Sequence, residues 1–289
     1  SKALTTFAGL KYGICDGNSS WYCTGFWTGF GEQYGMHCWL LSGHGTVNLI
    51  TGITNSCDIV FYEIGKGFFY NNDHPEGMQE TFRAFGLGAL SGIDLPEEAS
   101  GRVPDAEWKW NYFTSSPDDA RKWQGGDNCN LAIGQGDLLV TCLQMANAYC
   151  GIANRGPIYK PHVLKSINAR NGNGSVIEYK NEVILSPEEK DEHRDIVARG
   201  LYGVVYEESA SQTIHWTNLD VTVNGKTGTA EQQSIGEPVG WFVGYAPADK
   251  PQYVVAANLD CAPSGAGSGM YIVRDVFGAI YNQPDNVGR

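Results

Sequence analysis

The sequence predicts an α+β fold, with an antiparallel sheet flanked by helices beside a mostly helical lobe. Three observations predict it. Helical patterns come first. Three strand-like runs follow in quick succession, at 219–232, 240–247 and 252–260, and the apolar stretch MYIVRDVFGAIYNQ at 270–283 closes the chain as a helix. The short turns between those runs suit antiparallel neighbours. Helices, then a run of strands, then a helix is the order of an α+β domain.

Each element has a local reason. Residues 2–12 read as a helix, because Leu4, Phe7, Ala8 and the stem of Lys11 fall at i, i+3, i+4 and i+7. Residues 15–46 are rich in Gly, Cys and aromatics and read as a long decorated loop region. GTVNLITGITNS, 45–56, looks helical and ends at the polar turn Asn55-Ser56; IVFYEIGKGFF, 59–69, resumes the apolar pattern. Gly and Pro punctuation makes 86–105 a loop. Its Gly-x-Gly at 86–88 has no strand before it and no helix after it, so a nucleotide-binding reading is discarded. Leu139, Leu143, Ala146, Cys150 and Ala153 keep a helical period, with Asp137 or Thr141 as cap and Gly156-Pro157 as stop. Residues 163–185 read as a hairpin turning at Asn171–Gly174. Val197, Leu201, Val204 and Val205 mark one more helix.

Composition bounds the function. With 289 residues and 42% hydrophobic content, the chain can build a sizeable core, and with no linker or repeat it reads as a single domain over 1–289. A charged fraction of 18% argues against a disordered chain. The net charge is −12 and Lys and Arg form no run, which argues against a nucleic-acid partner. No apolar stretch reaches the ~18 residues that would span a bilayer. The chain opens in what reads as a helix already in progress, so it is expected to be a fragment lacking its N-terminal part. Eight cysteines are scattered without a Cys-x-x-Cys. Cys23 and Cys38 flank a glycine-rich loop and could pair in an oxidising compartment. His37, Cys38 and His44 raise a zinc reading, but their spacing fits no closed four-ligand pattern, so no metal and no cofactor are expected. The acidic clusters at 96–98 and 188–195 read as solvated faces.

The chemistry-bearing stretches are few. VNGKTGTAEQ, 223–232, sets Lys226 between two glycines and follows it with Thr227, Gly228 and Thr229. Alone it is either a glycine-rich turn with a solvated lysine or an anion pocket. Ser56-Cys57-Asp58 precedes an apolar helix, where Ser56 is either an N-cap or a reactive hydroxyl. Gly43-His44-Gly45 stands just before it; His44 reads as a turn or core histidine, with a Cys57–His44 thiol nucleophile as the reactive alternative. Gly134-Gln135-Gly136 is followed by Thr141 and Leu143-Gln144-Met145-Ala146. Taken together and in this order, over nearly the whole chain, these motifs resemble the transpeptidase domain of a class B penicillin-binding protein, of the elongation more than the division type.

That resemblance implies a penicillin-recognising, β-lactamase-like fold with three motifs, Ser-x-x-Lys, Ser-x-Asn and Lys-Thr-Gly. The second is Ser56-Cys57-Asp58 here, and an ionised Asp58 only accepts hydrogen bonds where the commoner Asn would also donate. No lysine of this chain has a serine three residues before it. The resemblance instead aligns KALTTFAGLKYGI with the residues after the nucleophile. Lys2 becomes the motif lysine, and the catalytic serine lies two residues before Ser1, outside this sequence. Lys2 then acts as general base, with an exposed helix lysine as the plain alternative. Ser56 relays a proton to the leaving amine, and Lys226 supplies positive charge. Thr227 and Thr229 bind the substrate carboxylate, Cys57 is counted with them as a substrate- and β-lactam-binding residue, the bare strand at Gly228 lets the peptide approach, and the Thr229 N–H completes an oxyanion hole. The implied substrate is a peptidoglycan stem peptide ending in D-Ala-D-Ala, with β-lactams as covalent mimics. A cell-wall synthesis complex is the implied partner. The parent is expected on the extracytoplasmic face of the cell membrane, held by an anchor and carrying a pedestal domain, both absent here. This chain alone is expected to form no acyl-enzyme. The rivals are a β-lactamase or β-lactam sensor on the same fold, and a non-catalytic binding domain.

Overall fold

The structure, a computed structural model, describes residues 1–170, 174–207, 216–231, 238–260 and 266–281. In chain order it begins with helix α1 (Lys2–Lys11) and strands β1 (Ser20–Cys23), β2 (Phe26–Trp27), β3 (Met36–His37) and β4 (Gly45–Asn48). Helices α2 (Leu49–Thr54), α3 (Asp58–Phe69), α4 (Gly77–Ala84), α5 (Ala106–Tyr112), α6 (Asp118–Arg121), α7 (Gly125–Ile133) and α8 (Cys142–Ala153) follow. Four short strands, β5 (Ile158–Tyr159), β6 (Ser166–Asn168), β7 (Ser175–Glu178) and β8 (Val183–Leu185), lead to α9 (Asp191–Tyr206). The chain then builds β9 (Asn224–Ala230), β10 (Val239–Ala246), β11 (Tyr253–Leu259) and α10 (Ala266–Ile280).

The α+β expectation holds. The last three strands form an antiparallel sheet in the order β11-β10-β9, so β9 is an edge strand. Successive side chains of a strand point to opposite faces, and β10 shows it. Phe242 joins a core with Met270, Val273 and Phe277 of α10. Val243 and Tyr245 join the larger core with Met145, Ala148 and Tyr149 of α8. The sheet is therefore covered on both faces, and its β9 edge faces the helical lobe.

Helix α1 runs through the centre of that lobe. The sequence marked one apolar face, yet every residue from Lys2 to Leu10 is buried. The reason is that α3, α4, α7 and α9 all pack around it. Its polar positions are satisfied internally: Thr5 Oγ1 donates to Ala132 O at 2.7 Å and Thr6 Oγ1 to Lys2 O at 2.9 Å. Two helix crossings around it are tight enough to need glycine. A Cβ on Gly65 of α3 would lie 2.8 Å from Asn128 O of α7, and one on Gly200 of α9 would lie 2.6 Å from Ile53 of α2.

Several local expectations are corrected. The stretch 15–46 is not only loop, since β1 pairs with β4 and β2 with β3. Residues 45–56 are not one helix, because Gly45–Asn48 pairs with β1 before Asn48 caps α2 with a capping box to Thr51. Thr141, not Asp137, caps α8, in a capping box with Gln144. The hairpin expected over 163–185 forms only as β6 with β7, since β8 pairs with β5 instead, and Asn171–Asn173 of its expected turn lie outside the described residues. Among the described residues no helix is long and apolar enough to cross a membrane.

Candidate active site

The site is built where the start of α1, the α2–α3 turn and β9 meet. Lys2 projects from the first turn of α1, and its Nζ donates to three acceptors. These are Ser56 Oγ at 2.9 Å, Ser56 O at 2.7 Å and Asp58 Oδ1 at 2.8 Å. The second oxygen of Asp58 accepts from the Trp39 N–H at 2.8 Å. Asp58 is thus an acceptor on both oxygens and forms a buried ion pair with Lys2.

Ser56 is not the N-cap of α3; that position is Cys57, which makes no side-chain cap bond. Ser56 ends α2 instead. The Cys57 N–H donates to Gly52 O at 3.0 Å and the Ser56 N–H to Ile53 O at 3.1 Å. This is a Schellman motif with Ser56 at the left-handed position, φ 51°, where glycine is the usual residue. The left-handed region costs a non-glycine residue about 1–2 kcal/mol. Trp39 holds the turn from outside, donating from Nε1 to Asn55 O at 3.0 Å. Sequence reasoning missed Trp39. A backbone N–H contact has no sequence signature, and only its place beside Cys38 in the aromatic-rich loop pointed to it.

Lys226 lies buried on β9 opposite Val243, with its Nζ on Thr227 O at 3.1 Å and Thr227 Oγ1 at 3.2 Å. Burial first, then the Lys2 ammonium, holds the Lys226 ammonium well below its ordinary value, with Asp58 opposing. Thr227 is half-buried and Thr229 exposed at the sheet edge. A Cβ on Gly228 would lie 3.3 Å from Trp241 Cβ, so the bare position faces that ring. Gln135, from the Gly134-Gln135-Gly136 turn, reaches β9 and donates from Nε2 to Thr229 O at 2.9 Å.

Directly behind Ser56 lies a cluster of which the zinc reading rejected from the sequence held two members, Cys38 and His44, but neither Cys23 nor Cys57. Cys23, Cys38, His44 and Cys57 bring their ligand atoms within 4.8 Å of one another. Pairing of β1 with β4 sets Cys23 opposite Gly45, beside His44. All three cysteines are free, so Cys23 and Cys38 form no disulfide here, and His37 takes no part. The Cys38–Cys57 hydrogen bond, then burial, pushes the Cys57 thiol up, and the same bond holds Cys38 down. A buried, strongly protonated Cys57 is a poor nucleophile, which removes the Cys57–His44 alternative. His44 Nδ1 faces both Cys23 Sγ at 3.5 Å and Cys38 Sγ at 3.6 Å. Three thiols and one imidazole make the donor set of a closed structural zinc site, so these four residues fit such an ion.

Comparison with known proteins gives consistent relatives. The penicillin-binding protein transpeptidase domain family matches residues 1–282. The peptidoglycan D,D-transpeptidase MrdA of Haemophilus influenzae is 29% identical over 98% of this chain and 44% of its own length. MrdA of Acinetobacter baumannii is 30% identical over 96% of this chain and 41% of its own. The chain therefore spans less than half the length of these curated relatives. The crystal structure of Pseudomonas aeruginosa PBP2 in complex with WCK 5153 superposes with a TM-score of 0.81 at 26% identity. It covers 100% of this chain and 61% of that one.

Three outcomes are expected from this geometry. Ser56→Gly and Ser56→Ala both lose the hydroxyl, but glycine relieves the left-handed strain; urea unfolding should find Ser56→Gly more stable by about 1 kcal/mol. Between its folded value and its ordinary 10.5, Lys226 binds more protons unfolded than folded, so its contribution to stability rises with pH across that window. Lys226→Met should accordingly melt a few degrees higher at neutral pH, with the gain shrinking toward pH 10.5; a pH-independent difference would contradict the buried-cation argument. Under reducing conditions the chain should take up Co²⁺ with thiolate-to-cobalt charge-transfer absorption, lost in Cys57→Ser. No such absorption would leave the cluster as packed thiols.

Proposed function

The chain belongs to the penicillin-binding protein transpeptidase family, class B, and on that premise we propose that its parent cross-links peptidoglycan stem peptides through a serine acyl-enzyme. The observation that carries the reading is the contact of Lys2 Nζ with Ser56 Oγ, in a pocket that also holds Lys226.

The nucleophile in this reading is a serine two residues before Ser1. A serine three residues before Lys2 shares its side of a helix, one turn away. The serine hydroxyl attacks the carbonyl of the penultimate D-Ala while Lys2, as the neutral amine that has given up one of the three protons it donates in the resting site, takes its proton. The C–N bond breaks, the terminal D-Ala leaves as an amine, and Ser56 delivers the proton that amine needs. An amine of a neighbouring peptide then attacks the ester, forming the new amide and releasing the serine. Two lysines and one aspartate leave the pocket with a local excess of positive charge for the substrate carboxylate, and Thr227 and Thr229 stand beside it. The carbonyl oxygen is received by the Thr229 N–H and the serine N–H.

β-Lactams acylate the same serine. The parent acts in the elongation type of wall synthesis, on the extracytoplasmic face of the membrane, within a cell-wall synthesis complex. The MrdA names of the relatives support this assignment. Intact mass after penicillin treatment tests the reading on this chain and on one extended by about a dozen native residues. A gain of one penicillin mass by the extended chain alone is the expected result. No gain by either folded chain would favour a non-catalytic binding domain, rapid loss of the adduct a β-lactamase. A stable gain by the short chain would displace the nucleophile from the proposed position.

A further inference from the structure

We propose that Gln135 is a positioning residue for the oxyanion-binding N–H of Thr229, its side-chain amide standing in for a neighbouring strand on the outer edge of β9. The inference rests on the reading above, which gives that N–H its role.

Among the described residues β9 pairs only with β10. Gln135 grips the other edge at two points. Its Nε2 donates to Thr229 O at 2.9 Å, and its Oε1 accepts from the Glu231 N–H at 3.3 Å. The grip straddles Ala230, which is paired across to Val239. In an antiparallel ladder the N–H and C=O of one residue point to the same side, and the side alternates along the strand. Thr229 O reaches Gln135 and not β10, so the Thr229 N–H also points away from β10, into the cleft. The residue before it, Gly228, has no side chain to restrain the strand. Without Gln135, the strand beyond Gly228 is paired from the β10 side alone.

The anchor of Gln135 is rigid. Helix α7 ends in a Schellman motif, with the Gly134 N–H on Leu131 O at 3.0 Å and the Gln135 N–H on Asn130 O at 2.8 Å. Gly134 takes the left-handed position at φ 81°. A Cβ there would lie 2.2 Å from Ser1 Oγ, so the turn is packed directly against the residue before Lys2. Gln135 thus spans the cleft from the lobe that carries Lys2 to the strand that carries Lys226 and Thr229. It sets the distance between the general base and the oxyanion donor.

The test uses the full-length protein and two half-exposed, foldable substitutions. Gln135→Ala removes both grips. Gln135→Glu keeps the size and the acceptor for Glu231 but cannot donate to Thr229 O. Penicillin acylation followed by time-resolved mass spectrometry separates the binding constant from the acylation rate constant. The expected result is a rate constant lowered about 10- to 100-fold in Gln135→Ala, and lowered in Gln135→Glu as well, with binding changed by less than about twofold. The ester carbonyl stretch of the acyl-enzyme, by isotope-edited infrared difference spectroscopy, should rise in frequency in both variants as the hole loosens. An unchanged rate constant and stretch in both would overturn the proposal. So would tighter binding at an unchanged rate, which would make Gln135 a mere cover of the edge. Failure of the unsubstituted protein to acylate would overturn the proposed function and this inference with it.

Discussion

One buried ammonium organises the site. Taking a charge out of water costs several kcal/mol unless its geometry is good and its donors are satisfied. Lys2 meets both conditions, with each of its three N–H groups on an acceptor of the Ser56–Asp58 turn and Asp58 as counter-charge. The turn can sit in one place only, because moving it would strand the charge. Trp39 extends the constraint outward by satisfying the other oxygen of Asp58. Among the described residues Lys226 has no such ion pair of its own, so it is the cation that an anionic ligand most relieves.

Two helices end toward the cleft by the same device. Helix α7 places Gly134 in the left-handed position, where the absent side chain makes room for Ser1. Helix α2 places Ser56 there and carries the strain a side chain brings. Strain of this kind persists where the surroundings over-determine the conformation. Here they do: Lys2 holds the turn from one side, Trp39 from another, and Cys57 ties it to the thiol and imidazole cluster behind.

The sequence revealed most of what is periodic or punctuated. The three strands before α10, the helix at 2–12 and the cap at Thr141 follow from spacing and residue type, and Lys226-Thr227-Gly228 falls on a strand as read. What it concealed lies in strands too short to show alternation and in proximities made by pairing. Residues 45–48 read as the start of one helix running to 56, yet they pair with β1 and the chain turns helical only after Asn48. Positions 23, 38, 44 and 57 share no local motif, and only the β1–β4 ladder brings them together. Helix α1 showed one apolar face because its threonines read as polar, though their hydroxyls are bonded inside the lobe. Gln135 was visible as part of a motif, but its contact exists only because β9 is an edge.

That open edge has a consequence beyond chemistry. A strand with one unpaired side is a template for any extended chain, including another copy of itself. Gln135 blunts the far end of β9, and a net charge of −12 keeps copies apart at low salt. Salt screens the charge but leaves the template in place. The colloidal behaviour of the domain in concentrated, salty solution is therefore governed by the few backbone groups on the outer side of β9.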